Sequence, residues 1–177
     1  MARYFIRGLI DGSLSTLGIV IGASIAIGLS PEAARTIIIA AGIGGGIANG
    51  LSNIIGAFAA EKTVAHKELE RVERAMLKRG AIKNSELHRE TEKKIISSSV
   101  IDGLATIGGS VIPVLPFFIL PALPALEWSV AVTLAFFFAI GIYIGRVSRE
   151  NLALSGLKMV LFAGATAGIA ALIKIVM

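Results

Sequence analysis

Residues 36–60 read TIIIAAGIGGGIANGLSNIIGAFAA, and residues 61–79 continue EKTVAHKELERVERAMLKR. The first block carries no charge, whereas ten of the nineteen side chains in the second are Lys, Arg or Glu. A helix needs about 20 apolar residues to cross a hydrocarbon core roughly 30 Å thick, so the first block has the length of a membrane span. The border between Ala60 and Glu61 is where that helix leaves lipid for water. Working outward, residues 12–29, 103–126 and 128–145 also lack any charged side chain, and residues 151–173 are interrupted only by Lys158. The fold class read from this pattern is all-α, a polytopic membrane protein with five transmembrane helices. Composition agrees: 55% of the 177 residues are hydrophobic and only 16% are charged, against about a quarter charged in an ordinary soluble domain.

The absence of cysteine excludes disulfides and thiolate metal sites. Two histidines, His66 and His88, are too few for a histidine cage. A pI near 9.8 suggests nucleic acid in a soluble chain. Here the basic residues flank apolar spans, which a bilayer explains better, and no nucleic-acid partner is expected. The N-terminus does not read as a secretory signal, since no small-residue cleavage site precedes a soluble domain.

Lys and Arg are retained on the cytoplasmic side of membrane proteins. With the N-terminus inside, fifteen of the seventeen basic residues fall inside, leaving Arg35 and Lys174 outside. The expected orientation is N-in and C-out. Three regions follow: residues 1–60 with spans one and two, a cytoplasmic charged helical segment at residues 61–94, and residues 95–177 with spans three to five. Ser30 and Pro31 suit the start of a helix, with Glu32 near its positive end. Within the cytoplasmic segment, a first helix continues the second span as a stalk and stops at Arg79-Gly80. A second starts at Asn84 or Ser85.

Ionisable residues inside a span cost about 2.5 to 3.5 kcal/mol at mid-depth and are functional candidates by default. Two qualify: Asp11 in Leu9-Ile10-Asp11-Gly12 and Asp102 in Val100-Ile101-Asp102-Gly103. They lie at comparable depths in spans that both enter from the cytoplasm, which leaves open a duplication of spans one and two as three and four. Each could be a helix N-terminal residue stabilised by the dipole. Together they could share a site for a divalent cation or for protons, since hard cations prefer oxygen. Asn49, Ser52 and Asn53 lie on one face of the second span, where they could ligate a cation or join helices. Gly42, Gly46 and Gly50, like Gly164 and Gly168, make small-residue faces suited to close packing. Pro113 and Pro116 predict a kink in the third span.

These residues together resemble the vacuolar iron transporter family. The resemblance runs from Asp11-Gly12 behind a basic N-terminus, through Ser52, Gly56 and Ala59-Ala60-Glu61-Lys62, to Gly108-Gly109-Ser110-Val111-Ile112-Pro113-Val114-Leu115-Pro116. It implies a homodimer with a transport path between two sets of five helices, exchanging a divalent cation for protons, with Asp11 on the path. It further implies metal collection by glutamates of the cytoplasmic helices, here Glu61, Glu68, Glu70 and Glu73, with Glu86, Glu90 and Glu92 beyond. The family's second-span methionine is replaced by Asn53, a harder ligand that weakens the preference for iron over manganese.

The expected metal residues are therefore Asp11, Asp102, Asn53, Asn49, Glu61, Glu68, Glu70 and Glu73. The expected function is export of a divalent metal, iron or manganese, from a prokaryotic or archaeal cytoplasm through the plasma membrane. The metal is substrate, and no cofactor is expected. The alternative is a non-transporting scaffold or metal sensor acting through the cytoplasmic helices. A membrane enzyme would need a denser interfacial cluster of Asp, His or Arg than this chain has. The cysteine-free chain makes the orientation directly testable: Ser30→Cys and Glu127→Cys are expected to react with an impermeant maleimide from outside intact cells, and Lys67→Cys and Glu90→Cys only after permeabilisation.

Overall fold

A computed structural model describes residues 1–28, 30–75 and 85–176. The chain is all-helical, in the order α1 (Ala2–Ala23), a 3₁₀ turn (Ser24–Gly28), α2 (Pro31–Ala75), α3 (Glu86–Ile119), α4 (Ala122–Ser148) and α5 (Leu152–Val176). All five α-helices are long and apolar enough to cross a membrane. Pro31 does open a helix, its missing N–H falling where no intrahelical partner exists.

The stalk and the second span are one helix. α2 runs for 45 residues, about 68 Å at 1.5 Å per residue, more than twice the bilayer core. Likewise α3 takes in the second expected cytoplasmic helix and the third span without interruption. Ser85 is its N-cap, with its side chain accepting a hydrogen bond from the His88 N–H. The expected stop at Arg79-Gly80 lies outside the described residues. α3 stays helical through Pro113 and Pro116. Its C-terminal half is braced from outside: the Ser129 hydroxyl of α4 donates to the Pro113 carbonyl at 2.6 Å.

α3 is the central helix, packed against α1 on one side and α2 on the other, while α5 leans mainly on α4. Glycine sets the closeness of these contacts. A methyl group on Gly8 or Gly12 of α1 would overlap the Asp102 or Thr106 carbonyl of α3, and one on Gly109 would overlap the Leu9 carbonyl. On the other side, Gly50 and Gly103 face each other's carbonyls, Gly46 faces Ser110, and Gly42 faces Val114. The small face read on α2 is therefore a packing face. Gly164 and Gly168 meet nothing within 4 Å in the single chain.

The two ends of the bundle differ. At one end Val20, Ile27, Ala34, Ile38, Val114, Phe117, Ala122 and Ala125 form an apolar core. The two basic residues there hold helix C-termini. Arg35 donates to the Phe117 and Phe118 carbonyls (2.5 and 2.7 Å), and Lys174 donates to Ser24, the C-cap of α1 (2.9 Å). Cations are favoured at that pole of a helix. The opposite end gathers the start of α1, the outer half of α2 and the start of α3.

Because the Thr106 carbonyl is backbone and cannot rotate away, Gly12→Val is expected to cost about 1–3 kcal/mol, the usual penalty of overpacking. Thermal unfolding in detergent should register it, and Gly164→Val, in open space, should leave the midpoint unchanged.

Candidate functional site

Asp11 sits halfway along α1, part-buried where α1 meets α2 and α3. Asn49 and Asn53, one helical turn apart on α2, both turn their side-chain amides toward it. Asn49 Nδ2 donates to Asp11 Oδ2 at 3.0 Å and to Ser15 Oγ at 3.0 Å. Asn53 Nδ2 donates to the same Oδ2 at 2.7 Å and to Thr106 Oγ1 at 2.9 Å. The hydroxyls pass their own hydrogens on, Ser15 to the Gly12 carbonyl and Thr106 to the Asp102 carbonyl. Every proton in the cluster thus has a stated destination. That economy fixes the amide orientation, since an amide oxygen turned toward the carboxylate would repel it. Oδ1 of Asp11 makes no hydrogen bond or ion pair among the described residues. Ser52, on the neighbouring face, is exposed and takes no part.

Asp102 has a different environment. It is 1% exposed, and Arg7 of α1 grips it with two parallel bonds, Nε to Oδ1 at 3.0 Å and Nη2 to Oδ2 at 2.6 Å. The planar guanidinium fork matches a carboxylate in this geometry, and the pair fastens α1 to α3 beside Gly8. The structure brings Asp11, Asn49 and Asn53 together. It links Asp102 to them only through its backbone carbonyl and Thr106. Arg7, counted in the sequence only as a topology signal, is the residue that sequence reasoning missed. Its partner lies 95 positions away, a pairing that no helical period encodes.

The glutamates occupy the charged end. Glu61 accepts a 2.6 Å hydrogen bond from the Tyr4 hydroxyl, which in turn accepts one from Arg3 at 2.7 Å. Glu61 and Glu68, seven residues apart, line one cleft of about 660 Å³ together with Arg3, Tyr4, Thr91 and Lys94. Glu70 is outside it, bracketed along the helix by His66 and Arg74 at 3.5 Å each. Glu73 is half-buried and also does not line the cleft. Among the described residues, no three His, Asp or Glu side chains form a group that could hold a metal. Any cation here must also use amide, hydroxyl or carbonyl oxygens, or a second chain.

Asn53 joins all three helices, so Asn53→Ala is expected to lower stability by about 1–3 kcal/mol, the range for losing a hydrogen bond to a charged group. Ser52→Ala, next to it and without a partner, should be neutral in the same unfolding titration.

Comparison with known proteins places this framework. A protein of Methanocaldococcus jannaschii, itself uncharacterized, is 48% identical over 166 residues, covering 93% of this chain and 83% of its own length. Residues 64–174 match the family profile described as VIT family. The matched segment holds Asp102, Glu68, Glu70 and Glu73, while Asp11, Asn49, Asn53 and Glu61 precede it. With the profile spanning more than half of the chain and five membrane-length helices beneath it, the chain is a multi-pass member of the VIT family of membrane metal-ion transporters.

Proposed function

We propose that the protein exports a divalent cation, iron or manganese, from the cytoplasm in exchange for protons, working as a homodimer in the plasma membrane of a prokaryote or archaeon. The observation that carries this reading is the Asp11 clasp. Two amides hold one carboxylate oxygen, leaving the other oxygen open to a cation. The surrounding oxygens of Ser15, Asn49, Asn53 and Thr106 are hard donors, which suit manganese or ferrous iron better than soft cuprous ion. A carboxylate that binds a cation in one state and a proton in another is what an exchanger requires.

The dimer is supported by what the single chain leaves uncovered. Asp11, Ser15, Gly18 and Gly22 share one face of α1. Ser15 and Gly22 are exposed, and Gly18 and Gly22 have no neighbour within 4 Å of where a side chain would begin. A half-open aspartate beside exposed polar groups is costly against lipid, and packing the same face of a second chain over it encloses the polar strip. In this reading the charged end faces the cytoplasm, and the Glu61–Glu68 cleft is the mouth through which cations approach.

Purified protein in proteoliposomes is expected to carry Mn²⁺ or Fe²⁺ toward the side bearing the charged end's opposite pole, driven by a proton gradient. Asp11→Asn should abolish that flux while leaving the unfolding midpoint within a few degrees of the parent. Metal binding with no flux in the parent protein would instead favour the scaffold or sensor reading, with the cleft as its receptor.

A further inference from the structure

Arg7 and Asp11 are four residues apart on α1, so their side chains are neighbours on one helix face, with Cβ atoms about 5–6 Å apart. An arginine in that position is the natural counter-ion of the aspartate, yet in this structure it turns wholly to Asp102. Both oxygens of Asp102 are taken by its guanidinium, and the Tyr4 ring lies 5.5 Å from the Arg7 guanidinium carbon on the other side. Glu61 of α2 also contributes to the field at Arg7, but its Oε1 accepts the Tyr4 hydroxyl and no hydrogen bond joins it to Arg7. Asp102 is buried, and its backbone carbonyl is fixed by Thr106, so the acceptor cannot follow if Arg7 moves.

We infer that Asp102 is a positioning residue that holds Arg7 off Asp11, keeping an internal cation from occupying the place a transported cation would take. The inference rests on Asp11 being the cation site. Without the Asp102 carboxylate, the acceptor one turn along the guanidinium's own helix is the open Oδ1 of Asp11. Arg7 would then compete with the metal. A competitor of this kind raises the metal concentration needed for half-maximal transport and leaves the maximal rate intact.

The test is a two-residue cycle in the full-length protein, reading Mn²⁺ flux and Mn²⁺ binding together with the unfolding midpoint. Asp102→Asn is expected to raise KM by at least about tenfold, the scale of losing a second layer of support around a metal, with kcat unchanged. Adding Arg7→Gln to it removes the competitor, and the double variant should recover most of the parent affinity although its salt bridge is gone. A merely structural bridge predicts the opposite, a double variant no better than Asp102→Asn. Should Asp102→Asn fail to fold, Arg7→Gln alone decides: affinity at or above the parent value supports the inference, and weaker affinity overturns it. Unchanged affinity in Asp11→Asn would overturn the cation-site reading itself. A normal response to Asp11→Asn with no rescue by Arg7→Gln would overturn only the role given to Asp102.

Discussion

Where α1 and α3 come closest there is no room for side chains, because Gly8 and Gly12 lie directly against the Asp102 and Thr106 carbonyls and Gly109 lies against Leu9. In lipid, where burying apolar surface gains little, this backbone-level contact is how helices attract one another. The rest of the site depends on it. Asp11 is one residue from Gly12, and Asp102 and Thr106 are the residues whose carbonyls Gly8 and Gly12 touch. α2 approaches α3 with the same economy through Gly46 and Gly50, and Asn49 and Asn53 each follow one of those glycines by three residues. The three helices joined through these glycines are the three that supply the polar cluster.

Charge is distributed with equal restraint. Three of the cations at the spans have separate tasks. Arg35 holds the exposed carbonyls at the end of α3, Lys174 closes on the end of α1, and Arg7 satisfies the one fully buried carboxylate. Asp11 is left as the carboxylate within the spans whose hydrogen-bond partners are all neutral. That contrast separates two residues that look alike in sequence. Leu9-Ile10-Asp11-Gly12 and Val100-Ile101-Asp102-Gly103 share hydropathy, depth and a following glycine. One faces two amides at a half-open seam, and the other is buried beneath a half-exposed guanidinium.

The spans were legible because exclusion of charge from hydrocarbon writes itself as uncharged runs of fixed length. The shared face of Asn49 and Asn53 followed from their four-residue spacing, though Ser52, read on the same face, takes no part; the helix start was read at Asn84 or Ser85, and Ser85 is the N-cap. Other features were not legible. The stalk was read as a continuation of the second span, as α2 shows, but the start of α3 read as a separate cytoplasmic helix because polarity changes near Ile95 while the backbone hydrogen bonding does not. The shared site expected of Asp11 and Asp102 rested on equal depth, which says nothing of rotation about the helix axis. Rotation decides which carboxylate meets Arg7. Gly164 and Gly168 carry the same small-residue spacing as α2 and touch nothing in one chain, since spacing marks a surface capable of close contact without naming its partner.

The unbroken course of α2 has a mechanical meaning. Glu68 in the cleft and Asn53 at the Asp11 clasp stand fifteen residues apart on one rod, about 22 Å along its axis. No loop lies between them to absorb a displacement. A tilt or twist imposed where Glu61 and Glu68 face Lys94 must therefore arrive at Asn53 as a change in the angle of its amide against Asp11. The helix works as a crank, with its handle in water and its bearing among the glycines.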